Sequence, residues 1–401
     1  MIKFDFKKNF VIQKYGDILL LALALAILAG ALLRFIPRGA GDSEERGFIN
    51  ITFTQWWQNE LEEGFLESLI EEFESLNSGI GVILDTRSYE EIWQGFFDPY
   101  EETGPFTSDV LALDSLWLSE LLSRGIIESP GPALISPINV FYYNIDILSE
   151  AGFSRPPRNR SEVIEYSREI LSLGRQAIIL DLESPRGLYD NIFPWIGAAG
   201  AALINNGNPT VNTNTVVNIL AFFAALNGEG LILHGRYGSE EKIEDFINGR
   251  AAFMVANAMK IDHVREQMGE DSFSITSIPT PDNYAGRTFF SAFEWTLGIN
   301  SASEHKAESR LFMNFLAENL YRFSRAAGEV PSEKITANDP IYSKVWEIAM
   351  AGDIANDFIN MPWNELKDVF DEELDALFKG LAGPGETAAA IQRRWGLIIN
   401  E

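Results

Sequence analysis

From Ile49 onward, short apolar runs alternate with longer segments in which apolar residues return every three or four positions. A strand points successive side chains to opposite faces, whereas a helix gathers i, i+3, i+4 and i+7 onto one stripe, so the two periods read as strands and amphipathic helices. Strands are expected at Ile49–Thr54, Val82–Asp85, Val110–Leu113, Ile138–Tyr143, Ala177–Leu182, Ala251–Val255, Phe273–Ile278 and Trp295–Ile299. Between the first two, Leu61, Phe65, Leu69, Phe73 and Leu76 form one stripe of a helix. Repetition of strand, helix and strand predicts parallel sheets covered on both faces, an α/β fold. After Glu304 the pattern is helical only, over 303–317, 341–350, 364–378 and 387–395, with Gly–Pro punctuation at Gly328–Pro331 and Leu381–Thr387.

One place breaks the strand period. In "TFTQWWQNE", Trp56 and Trp57 are adjacent, and a regular strand cannot send both indoles into one core. The strand is therefore expected to end there, with one indole sealing the core and the other free for a ligand, in either assignment. Ligands of open α/β sheets bind beyond the carboxyl ends of the strands, which is where this pair stands. Gln58 and Asn59 follow with amide groups suited to hydroxyls or to capping a helix.

Ahead of the α/β body lies a different pattern. Lys7, Lys8 and Lys14 precede the uncharged run Ile18 to Leu33, which Phe35 and Ile36 extend beyond Arg34, and Arg38 follows. As a helix the run spans about 24 Å, slightly short of a hydrocarbon core. It reads as an uncleaved anchor over Ile18–Ile36 or as a signal segment, with Ala29 and Ala31 as an internal A-x-A pattern. In both readings the basic leader stays in the cytoplasm and everything from about Gly39 is exported.

Composition narrows the function. The chain of 401 residues carries a net charge of −27, no cysteine and three histidines. A basic face for nucleic acid is absent from such a balance. Disulfides and thiolate metal sites are excluded, and no histidine spacing suits zinc, so no cofactor or metal is expected.

Six segments in order then carry a resemblance: "FLESLIEEFESLNSGIGVIL", "SDVLALDSLWLSELLSRGIIE", "FYYNIDILSEAGF", "FINGRAAFMV", "EWTLGINSASEHKAESRLFMNFL" and "MPWNELKDVFDEELDALFKGLAGPGETAAAIQRRW". Over about Ile49 to Trp395 the chain resembles the family 1 extracellular solute-binding proteins of ABC sugar importers, the maltose-binding type. The resemblance implies a type II periplasmic-binding fold, two α/β lobes joined by three crossings around a ligand cleft. Residues 1–38 would be the anchor or signal segment and 39–47 a linker. Lobe one would hold 48–141 and 289–328, and lobe two 142–288 and 331–401. Crossings would fall near Val140–Asn144, Ile278–Phe290 and Glu329–Ile335. The family's longer excursion after Pro130 is replaced here by "PGPALISPI", which implies a direct crossing and a more open cleft.

Candidate ligand contacts follow from both lines of reasoning. Asp114 ends a strand before a helix, so it is expected to cap that helix or to accept sugar hydroxyls. By resemblance Tyr189, Asp190 and Trp195 face the cleft from lobe two, and Asn257 or Met259 stands where relatives place a tryptophan. Glu294 and Trp295 open a strand that re-enters lobe one, and a buried glutamate must be paired. Trp363 would be a cleft wall or a helix-start packing residue. An indole sharing about 100 Å² with a pyranose face contributes on the order of 2.5 kcal/mol.

These features imply a binding protein without catalysis, a monomer that closes on a small sugar ligand and is read by ABC permease subunits. A ligand sensor anchored in the membrane is a second reading. An exported glycoside hydrolase using Glu294 is a third, but it lacks an identifiable second carboxylate.

Overall fold

The computed structural model describes residues 48–400 apart from 58–59, 98–106, 137, 235–237, 287, 292–293, 328–338, 356–357 and 359–360. The chain divides between Gly47 and Phe48. The expected N-terminal helix, and Gln58 and Asn59, lie outside the described residues. Among the described residues no helix is long and apolar enough to cross a membrane.

In chain order the strands are β1 (Ile49–Gln55), β2 (Ile80–Thr86), β3 (Val110–Asp114), β4 (Ile127–Ile135), β5 (Asn139–Asn144), β6 (Gln176–Ile179) and the short pair β7 (Ile204–Asn205) and β8 (Asn208–Pro209). They continue with β9 (Ile232–Leu233), β10 (Ala251–Asn257), β11 (Phe273–Thr276), β12 (Phe289–Ser291), β13 (Trp295–Asn300) and β14 (Asp353–Ala355). One sheet has the order β2-β1-β3-β13-β4 and forms lobe one; the other, β11-β5-β10-β6-β9, forms lobe two. β7 and β8 make a hairpin whose turn, Asn206 and Gly207, has positive φ at both positions, as a type I′ turn requires.

The expected parallel sheets are mixed. β1 pairs in parallel with β2 and β3, but β13 returns antiparallel to both β3 and β4. In lobe two, β10 is parallel to β6 and antiparallel to β5. After Pro130 the chain does cross with no intervening helix, but the stretch before the crossing is a strand the pattern did not show: β4, at the sheet edge, with register shifts against β13. Pro130 and Pro132 hid it from the pattern, yet proline is tolerated on an edge strand, where one row of N–H groups has no partner to serve. The chain passes from the first sheet to the second between Ile135 and Asn139 and returns between Thr276 and Trp295. β5 thus belongs wholly to lobe two, so the first passage comes before Val140–Asn144. The last third is not purely helical either: β14 pairs in parallel with β12. The passage expected at Glu329–Ile335 lies outside the described residues.

Helices cover both sheets. The stripe foreseen from Leu61 begins as a helix only at Phe65, after Gly64 adopts the left-handed conformation (φ 77°). It buries Leu66, Leu69, Ile70 and Phe73, and Phe73 meets Phe312 of helix Lys306–Glu318 edge to face at 5.0 Å. The two long C-terminal helices, Trp363–Phe378 and Pro384–Ile399, pack on helix Asn214–Gly228 of lobe two.

Candidate functional site: a charged cleft between two lobes

β1 ends at Gln55, and the side-chain oxygen of Gln55 accepts the backbone N–H of Trp57, closing a tight turn. That turn sends both indoles inward. Trp57 is fully buried, stacked on Trp295 with ring centroids 5.8 Å apart and planes 3° apart, with Phe53 and Phe323 against its edges. Trp56 lies one layer nearer the cleft, boxed by Tyr89, Trp117 and Trp295 at 5.3, 5.5 and 5.5 Å, and its remaining face lines the cleft. The adjacent tryptophans therefore divide into one core residue and one cleft residue.

The cleft has a volume of about 290 Å³, at the small end for ligand sites. Lobe one supplies Trp56, Glu60, Arg87, Ser88, Tyr89, Glu90 and Trp295. Lobe two supplies Ser184, Arg186, Asp190, Ser239, Glu240, Asn257 and Lys260. Trp56, Arg87, Ser88, Asn257 and Lys260 sit at or just beyond the ends of β1, β2 and β10, where the sheets stop and the chain turns toward the gap.

Arg186 is the hub. Its guanidinium binds Asp190 through Nε at 2.9 Å and Nη2 at 3.0 Å, and its Nη1 reaches the buried carboxylate of Asp114 in the opposite lobe. Tyr89 donates its hydroxyl to the same Asp114 oxygen at 3.0 Å. Burial opposes ionisation of Asp190, but the Arg186 charge outweighs it and holds the carboxyl below the usual range. Burial, and then Asp114, push the Tyr89 phenol well up, so it stays a donor. The helix bearing Asp190, Gly187–Asn191, fits because Gly187 has no Cβ, which would lie 2.8 Å from the Leu182 backbone.

Beneath the cleft floor Lys242 donates to Asn191 Oδ1 at 3.0 Å and to the Val255 carbonyl at 2.8 Å, and burial lowers its pKa. Burial raises the carboxyl of Asp181, which accepts from Ser184 Oγ at 2.6 Å. A second link between the lobes runs from Lys260 Nζ to Glu60 Oε1 at 2.8 Å.

Of the residues anticipated, Trp56, Asp190, Asn257 and Trp295 line the cleft. Asp114 stands one layer behind it, where it both caps the following turn, accepting from Leu116 N at 2.9 Å, and holds Arg186. Trp195 does not reach the cleft: it is buried among Phe141, Phe222 and Phe223. Trp363 is likewise core, packed on Tyr189 and Phe358 and donating to the Pro185 carbonyl at 3.2 Å. Tyr189 and Met259 are buried. Glu294 is half-buried outside the cleft lining, with its backbone exchanging hydrogen bonds with Ser115. Tyr89, Glu90, Arg186 and the Glu60–Lys260 pair were not anticipated. Only Arg186 left a local signal, its i, i+4 spacing from Asp190.

Residues 58–319 match the sequence model described as bacterial extracellular solute-binding protein. The chain belongs to this family. It is a solute-binding protein rather than an enzyme, and it works on the extracytoplasmic side. The solute-binding fold recurs in solved structures. The GacH receptor of Streptomyces glaucescens superposes with a TM-score of 0.71 at 16% identity, covering 88% of this chain and 99% of that one. Maltose-bound MalE3 of T. maritima gives 0.70 at 18%, covering 87% and 99%. UgpB from Mycobacterium tuberculosis, in complex with glycerophosphocholine, gives 0.71 at 18%, covering 90% and 99%. No curated protein matches the sequence significantly.

Proposed function

We propose that this solute-binding protein is the receptor of an ABC importer and that it holds a sugar or short oligosaccharide between its lobes. The observation that carries the reading is a cleft lined from both lobes, with aromatic rings (Trp56, Tyr89, Trp295) on one wall and polar groups (Asp190, Asn257) on the other. A sugar offers flat C–H patches to the first and hydroxyls to the second. Only a ligand touching both lobes favours the closed arrangement, which is the surface a permease can recognise. The named ligands of two neighbours, acarbose for the GacH receptor and maltose for MalE3, support the same class.

In this reading Trp56, Trp295, Asp190 and Asn257 touch the ligand, while Asp114 and Arg186 hold the wall in place. Trp57, Trp195 and Trp363 act through packing. The protein works as a monomer, tethered to the cytoplasmic membrane through Ile18–Ile36. An intact Met1 in protein recovered from membranes would support the tether; a mature terminus near Leu32 would replace it with a cleaved signal.

The test of ligand class is a thermal-shift screen of residues 42–401 against a sugar library. A true ligand at a hundredfold excess over Kd adds about 2.7 kcal/mol of stability, and Asn257→Ala should remove most of that gain. A melting curve that no sugar moves would overturn the reading.

A further inference from the structure

At and just behind the cleft two amide oxygens have no donor among the described residues, and one carboxylate has only its own backbone. Asn139 is 7% exposed, and its Nδ2 donates to Asp190 Oδ1 at 3.2 Å, which sets the amide's orientation and leaves Oδ1 buried and unpaired. Asn257 stands directly opposite on the neighbouring strand, lines the cleft, and its Oδ1 is also buried and unpaired. From the other lobe Glu90, half-buried, lines the same cleft, with its own backbone N–H as the sole donor to its carboxylate. Leaving a buried acceptor unmade costs about 1–3 kcal/mol, and more for a charge.

The cations nearby are already engaged. Arg186 serves Asp114 and Asp190, Lys260 serves Glu60, and Arg87 serves Asp85 at 2.8 Å. The wall beside Glu90 is aromatic, with Trp56 and Tyr89 edge to face at 5.3 Å. Aromatic faces attract cations, and unpaired oxygens attract donors. A phosphate or carboxylate on the ligand would instead set acceptors against acceptors.

We infer that the cleft selects a carbohydrate carrying a protonated amine, its ammonium held by Glu90 beside the Trp56–Tyr89 wall and a hydroxyl donating to Asn257. This rests on the sugar reading above and narrows it. Burial already pushes the Glu90 carboxyl above its ordinary range, and an ammonium against it would oppose that shift.

Calorimetry on the full chain would compare matched sets: glucosamine, N-acetylglucosamine and glucose, then chitosan disaccharide, its diacetyl form and cellobiose. The amine member of a set should bind at least tenfold tighter than its counterparts, and Glu90→Gln, checked for folding by circular dichroism, should abolish that preference. Independently of any variant, the wild-type preference should disappear as pH rises through the pKa of the sugar's amine. A neutral sugar binding as tightly as its amine would overturn this inference and leave the sugar reading standing. Loss of both would be signalled by no sugar of either kind producing heat.

Discussion

Lys260 Nζ donates to Glu60 Oε1 at 2.8 Å across the mouth of the cleft, with the two side chains 9% and 13% exposed. The pair joins the segment after β10 to the segment after β1, residues that share no sheet. Deeper in the cleft Arg186 meets Asp114 with the same polarity, the cation from lobe two and the acid from lobe one. Both pairs bridge the lobes, so drawing the lobes apart breaks the two together.

Lys260→Ala removes the outer pair, which bridges the lobes only while they are shut. The variant should shift toward an open form, seen as a larger radius of gyration in solution scattering. Ligand affinity should fall several-fold, because part of the binding energy then goes into closure. An unchanged scattering profile would deny the pair any part in closure.

Arg186→Ala strips the cation from the buried carboxylate of Asp114 and the half-buried one of Asp190. Breaking a buried pair on one side costs about 3–5 kcal/mol, and urea unfolding should show a loss of that order. Asp114→Asn should cost less, since asparagine still accepts the Leu116 N–H that Asp114 now caps. Equal losses for the two variants would contradict the hub role of Arg186.

The adjacent indoles should separate experimentally. Trp57→Ala opens a cavity among Phe53, Trp295 and Phe323 and should cost about 3–5 kcal/mol of stability. Trp56→Phe keeps a ring in the aromatic box and should spare most of the stability while weakening ligand binding by about tenfold, the loss of a contact near 1.4 kcal/mol. The reverse pattern in melting temperature and calorimetry would exchange their roles.

Away from the cleft, Arg155 grips Glu162 through two bonds of 2.7 and 2.8 Å. That pairing holds the Glu162 carboxyl down to about 2 from its ordinary 4.5. A depressed acid stabilises the fold above the unfolded-state pKa and loses that contribution as pH falls through the folded one. Glu162→Gln should thus be destabilising near neutrality, by no more than about 1 kcal/mol for so solvent-screened a pair. The difference from wild type should shrink between pH 4.5 and pH 2. A gap that stays constant across that window would point to lost packing instead.

Eight strands, β1, β2, β3, β5, β6, β10, β11 and β13, were legible in the sequence, because a half-buried or buried strand of several residues imposes its own period, whereas β9 and β12 are too short to show one. β4 was not legible, since Pro130, Gly131 and Pro132 suppress strand propensity and only an edge position excuses them. The direction of β13 escaped for a different reason: an antiparallel return needs a long connection from the other lobe, and a connection's path leaves no periodic trace. Trp195 and Trp363 misled because an indole near a cleft segment has the same composition whether it faces the gap or the core behind it.

Local chemistry alone settled that β1 had to end at the tryptophan pair, that the body is α/β, and that a chain without cysteine has no thiolate chemistry. Only the tertiary structure decided which indole meets the cleft. It also brought Glu60 to Lys260 and Asp114 to Arg186, as well as setting Asn139 beside Asn257. The physical reason is range. Side-chain period and turn chemistry act over a few residues, whereas the cleft is assembled where two sheets end, from groups that only the packing of both lobes brings within hydrogen-bond distance.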